Sequence, residues 1–175
     1  MTRTPMLTVS TSLRSHEDPM RVVESVQVIF PDWDVENIPE KGQFPITRDE
    51  VKLTCVGCSP DSFIEALTEQ RILDTALDVM SIKLREDVTK FSIGRQAAIA
   101  GRVTFILDQE QPIGGTIDVD IECEELDSWI EEVTWHPGRY EVPRKIGDEL
   151  RMTNSGNVRE WFDRNGNPTI NKDEY

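Results

Sequence analysis

Apolar and polar positions alternate with period two in some stretches of this chain and recur at helical spacing in others. Leu7, Val9, Thr11 and Leu13 alternate with Thr8, Ser10 and Ser12, which predicts a half-buried strand. Ser15 or Asp18 can accept from free first-turn amides, Pro19 suits the first helical position, and Val22, Val23, Val26, Ile29 and Phe30 line one helical face. Pro31 ends that helix. Trp33, Val35 and Ile38 predict a short strand, and Val51, Leu53 and Cys55 predict another that Gly57 to Pro60 breaks. Ser59 is placed to cap a following helix that begins at Pro60. Apolar spacing then continues through Leu84, and one long helix or two fit the pattern equally.

Thr89 to Ile93 reads as a strand and Gln96 to Ala100 as one helical turn. Val103, Phe105 and Leu107 alternate with Arg102, Thr104 and Ile106 as a further strand. Ile117, Val119, Ile121 and Cys123 alternate with Thr116, Asp118, Asp120 and Glu122, the clearest strand pattern in the chain. Leu126, Trp129, Ile130 and Val133 form a short amphipathic helix. The connection from Asp108 to Gly115 is too short for a parallel crossover, so the later strands pair antiparallel. Helices with one apolar face each must cover one side of a sheet. The expected fold is α+β, a two-layer sandwich of a mostly antiparallel sheet with helices on one face.

That domain runs over residues 6–135. Residues 136–175 are rich in Gly, Pro and Asn and read as an irregular C-terminal extension, with Asn165-Gly166 as a hairpin turn.

Composition adds an electrostatic constraint. The 175 residues carry 19 basic and 33 acidic side chains, a net charge of −14. Such a chain repels phosphate and anionic membranes as a whole. Spread along the sequence, the acid fits a solvated surface adapted to high intracellular salt, hence a halophilic source. No apolar run is long enough for a membrane span, and no secretory segment follows Met1. The expectation is a cytoplasmic protein with reduced thiols.

Candidate chemistry is sparse. Cys55 and Cys58 form a lone CxxC, with only Cys123, His16 and His136 elsewhere to complete a metal site, and the alternation places Cys55 on the core side. Asp118, Asp120 and Glu122 line one strand face, where a solvated acidic row is the simpler reading. No nucleophile signature or phosphate-cradling glycine motif is present. Neither an enzyme nor a metal or other cofactor is expected.

One stretch reverses sign. Residues 71–102 hold six basic and four acidic side chains, a net +2, against −16 for the rest. Arg71, Lys83, Arg85, Lys90, Arg95, Gln96 and Arg102 are the candidate contacts to an anion, with Arg able to fork onto phosphate oxygens and Gln able to reach sugar or base. The competing reading pairs Arg95 and Arg102 with Asp118, Asp120 or Glu122.

The same stretch carries a resemblance. Gln70-Arg71-Ile72-Leu73-Asp74-Thr75-Ala76, followed by Phe91 and by Arg95-Gln96-Ala97-Ala98-Ile99-Ala100-Gly101-Arg102-Val103, resembles an archaeal protein family described as RNA-binding-like and related to predicted exosome-associated proteins. Glu17-Asp18-Pro19 and Pro112-Ile113-Gly114-Gly115-Thr116-Ile117 extend it across Leu7 to Trp135. The resemblance implies a ribosomal L-five-like α+β sandwich, an archaeal source and structured RNA as partner. The alternative is a dimeric interaction module, built on a sheet edge or on the apolar segment Ala97 to Ala100.

Overall fold

Alternation becomes strand pairing and helical spacing becomes cover. The computed structural model describes residues 4–156. Its elements are β1 (Met6–Leu13), α1 (Pro19–Ile29), β2 (Val51–Cys58), α2 (Asp61–Glu69), α3 (Leu73–Ile82), β3 (Val88–Gly94), α4 (Arg95–Ala98), β4 (Phe105–Ile106), β5 (Thr116–Glu122), α5 (Leu126–Val133) and a 3₁₀ turn at Pro137–Tyr140. The five strands form one sheet in the order β2-β1-β5-β3-β4. Every neighbouring pair is antiparallel.

Leu7, Val9, Leu13, Leu53, Phe91, Ile93, Ile117, Val119 and Ile121 face the helices and are buried. The opposite face is polar: Thr54, Ser10, Asp118 and Ser92 stand in one cross-strand row, and Thr8, Asp120 and Lys90 in the next. The core continues outward from Phe91, which stacks on Phe63 of α2 at 5.5 Å; Phe63 stacks in turn on Phe30 at 5.7 Å.

Local chemistry fixes the helix ends. Asp18 accepts the Met20 amide at 3.0 Å and Pro19 opens α1. Ser59 Oγ accepts the Asp61 amide at 3.2 Å ahead of α2. The helical stretch after Pro60 is two helices, because Arg71 takes a left-handed φ of 59° between them.

Three expectations are corrected. Trp33 to Ile38 forms no strand. Trp33 is instead fully buried, and its indole Nε1 donates to the Val9 carbonyl at 2.9 Å, so burying the ring fixes this segment rather than sheet pairing. The strand expected from Val103 to Leu107 shrinks to Phe105–Ile106. Side chains claim the backbone at both of its ends: Gln70 bonds both the amide and the carbonyl of Val103, at 2.6 and 3.0 Å, and Glu110 accepts the Leu107 amide at 3.0 Å. Finally, β2 runs on to Cys58. Gly57, at φ +89°, is an extra residue between the pairs Leu7–Cys58 and Thr8–Val56. This bulge changes the strand's parity. Cys55, opposite Val9 and before the bulge, keeps the expected core-facing side and is half-buried, and the bulge turns Cys58, opposite Leu7, to the same side, where it is fully buried.

Beyond α5 the chain is fastened to α3. Asp74 pairs with His136 at 3.1 Å and with Arg139 at 3.2 Å. One turn on, Asp78 accepts from Arg144 at 2.6 Å and from the Met152 amide at 3.2 Å. The hairpin expected at Asn165-Gly166 lies outside the described residues.

Candidate functional site

The cationic stretch folds into a strand with one set of groups at each end. Lys83 and Arg85 lie on the turn that enters β3. Gln96 follows the strand's exit at Gly94, and Arg71 and Arg102 are drawn to that exit by the Gln70 clamp on Val103, since the neighbouring Thr104 carbonyl accepts the Gly94 amide at 2.9 Å. A strand of seven residues separates the two groups, about 20 Å at the usual rise. The predicted contacts therefore do not form one continuous patch.

Their availability also differs. Lys83 pairs with Asp108. On the open face Lys90 pairs with Asp120 at 2.9 Å, and the Asp120 hydrogen bond and charge hold its ammonium pKa above the ordinary lysine value. Such exposed pairs add little stability, but each neutralises a charge that phosphate would need. Arg85 is exposed, and its guanidinium donates to the Leu84 carbonyl at 2.8 Å. Arg71, Gln96 and Arg102 are exposed, and neither arginine has a carboxylate partner within salt-bridge distance among the described residues.

Arg95 is the correction of most consequence. It is 4% exposed and is not a surface contact. Nε donates to the Gly114 carbonyl at 2.7 Å, Nη1 to the Ser12 carbonyl at 2.9 Å and to Thr11 Oγ1 at 3.2 Å, and Nη2 pairs with Glu17. Burial lowers its pKa and the Glu17 carboxylate opposes that shift. The partner is thus Glu17, ahead of α1, and not the acidic row of β5. A side chain at position 115 would collide with this guanidinium, and Gly115 also sits at φ +80°. Arg48 completes the lock by donating to the carbonyls of Arg14, Ser15 and Glu17. Sequence reasoning missed Glu17, Gln70 and Arg48 as positioning groups; the adjacent glycines Gly114-Gly115 were the one local sign of a close approach.

The remaining candidates resolve similarly. Asp118 accepts Ser92 Oγ at 2.6 Å and Thr116 Oγ1 at 3.1 Å, so its carboxylate is occupied within the sheet. Burial, the adjacent Cys55 thiol and the charge of Asp32 push the Cys58 thiol up to about 12. It is a protonated core group at neutral pH and neither a ready nucleophile nor a ready metal ligand. No cluster of three metal-ligating side chains occurs among the described residues.

This fold recurs in known proteins. A UPF0201 protein of Methanothermobacter thermautotrophicus is 30% identical over 140 residues, spanning 80% of this chain and 96% of the relative. The chain belongs to the UPF0201 family. A UPF0201 protein of Sulfurisphaera tokodaii is 29% identical over 126 residues, covering 72% of this chain and 84% of its own. The crystal structure of the UPF0201 protein from Methanococcus jannaschii superposes with a TM-score of 0.63 at 24% identity, over 81% of this chain and 96% of that one. That likeness establishes the α+β fold as the UPF0201 fold, and the sequence relatives place the chain in an archaeal family. No family model matches the chain. The UPF0201 name states no activity, so chemistry must be argued from the side chains.

Proposed function

We propose that this protein is a non-enzymatic binder of structured RNA, and that its contact surface is the end of the sheet where β3 leaves into α4. The observation behind this reading is that Arg71 and Arg102, both exposed, flank the two residues of the Gln70–Val103 clamp and have no carboxylate within salt-bridge distance among the described residues. Guanidinium groups fork onto phosphate oxygens, and a neighbouring amide can bond a ribose hydroxyl or base edge. The resemblance of this segment to archaeal RNA-binding-like and exosome-associated proteins points the same way. The footprint is smaller than the sequence implied, because Arg95, Lys83 and Lys90 are engaged internally. The acidic face of β5 keeps RNA off the open sheet.

Titrating transfer RNA at two salt concentrations tests the reading. The Arg71→Ala/Arg102→Ala double variant should bind more weakly, and its salt slope should be shallower by about one unit for each phosphate it no longer neutralises. Undetectable binding by the wild type at low salt removes the proposal.

One observation favours a second reading of the same end. Ile113 is 87% and Ile99 42% exposed, and Ile113 adjoins Gly114, which packs toward Gln96. Two copies could bury these side chains against each other. Light scattering that shows a dimer in the wild type and a monomer in Ile113→Asp supports it; a monomeric wild type removes it.

A further inference from the structure

A groove of about 900 Å³ lies at the other end of the strands, between α2 and α5. Ile64, Trp129, Val133 and Pro5 give it an apolar lining. Its volume is in the upper part of the range for ligand pockets, roughly 300–1,000 Å³. Asp61, Glu65 and Glu69 also line it, four residues apart along α2 and all exposed. None of these carboxylates has a cationic partner within salt-bridge distance among the described residues. The stripe from Asp61 to Glu69 extends about 12 Å at the helical rise, more than two turns.

We propose that this groove docks a cationic amphipathic helix of a partner protein, with the helix's apolar face on Ile64, Trp129 and Val133 and its lysines or arginines along Asp61, Glu65 and Glu69. An apolar floor between two helices is the usual seat for an amphipathic helix. The unpaired acidic rim selects its sign, since basic side chains three or four residues apart on the incoming helix meet carboxylates at the same period. Long basic side chains also cover the edges of the floor with their methylene stems while keeping the charge at the rim. The proposal does not rest on the RNA reading, although the groove's far rim at Glu69 stands two residues before Arg71.

Anisotropy of a labelled Leu/Lys amphipathic peptide of about 14 residues, long enough for nearly four turns, tests the proposal on the full chain. The peptide should bind, and a scrambled peptide of equal composition should bind at least about tenfold more weakly, a difference of about 1.4 kcal/mol. Glu65→Lys/Glu69→Lys should weaken binding by a similar factor, about tenfold. Asp49→Lys/Glu50→Lys makes the same charge change at exposed positions before β2 and should leave the affinity unchanged. Circular dichroism checks that both variants fold. Equal weakening by the two variants, equal binding of the scrambled peptide, or no binding of the amphipathic peptide each overturns the proposal.

Discussion

At the residue scale, Arg95 shows how charge and location can disagree. A guanidinium in a glycine-flanked turn looks exposed in the sequence, yet its donors are used on Gly114, Ser12, Thr11 and Glu17. Removing one partner of a buried pair leaves the other desolvated and unpaired. Arg95→Ala should therefore cost about 3–5 kcal/mol of unfolding free energy in a urea titration. Arg95→Lys should recover only a small part, because one ammonium cannot serve the separate acceptors that a planar fork reaches. The RNA affinity of whatever remains folded should not change. Little loss of stability together with lost RNA binding would put Arg95 back at the surface.

At the scale of elements, regular periodicity was legible and interruptions of it were not. The alternations of Leu7 to Leu13 and Ile117 to Ile121 became β1 and β5, and the spacing from Leu126 to Val133 became α5. The sheet is antiparallel as expected, but not for the reason the short loop before Thr116 offers: the strands it joins, β4 and β5, are not neighbours, and each pairs antiparallel with β3, which lies between them. Three features had no local signal. The Gly57 bulge depends on the register with β1. The break at Arg71 preserves apolar spacing, because Leu73, Ala76, Leu77 and Met80 stay buried after it. The shortening of β4 depends on Gln70, a side chain 33 residues from the backbone it clamps. The candidate site was legible as composition but not as geometry, since which cations are free depends on carboxylates distant in sequence. Gln70→Ala would leave the amide and carbonyl of the buried Val103 unsatisfied. It should cost about 1–3 kcal/mol, read as a shift in the denaturant midpoint with little change in slope. It should also weaken RNA binding, by releasing Arg102 from Arg71. Gln70→Glu keeps the acceptor for the Val103 amide and should fall between the wild type and Ala. A change within error for both variants would show that the clamp does not set this corner.

At the scale of the whole molecule, α3 holds the chain that follows the domain. Arg144 bonds both Asp78 and Asp148. Burial alone would lower its pKa, but the hydrogen bonds and charges of the two carboxylates raise it. Burial raises Asp78 against the pull of Arg144. Arg144→Ala should cost about 3 kcal/mol or more at neutral pH and speed tryptic cleavage at Lys145 and Arg151. The sign of the pH dependence follows from Asp78. With the guanidinium gone, burial raises that carboxyl further above its unfolded value of 3.8. The folded state then keeps a proton the unfolded chain releases, so the deficit should shrink as pH falls toward that value. Asp78→Leu/Arg144→Met should cost less than Arg144→Ala alone, because the buried carboxylate leaves with its partner and only the part-exposed Asp148 remains. A deficit that does not vary with pH would argue against a buried carboxylate as its source.

The length and direction of the central strands have a further consequence. Gly94 and Thr116 are paired at one extremity of the sheet, and Leu7 and Cys58 at the other. The proposed anion-contacting corner belongs to the first, and the acid-rimmed groove starts at the second, from Gly57 to Asp61. Helix α2 runs from the second extremity toward the first, and its last acid, Glu69, stands two residues before Arg71, so ligands of opposite sign would meet along one helix. Such a body would act as an adaptor that brings a nucleic acid and a basic protein together at the turn from Glu69 to Arg71.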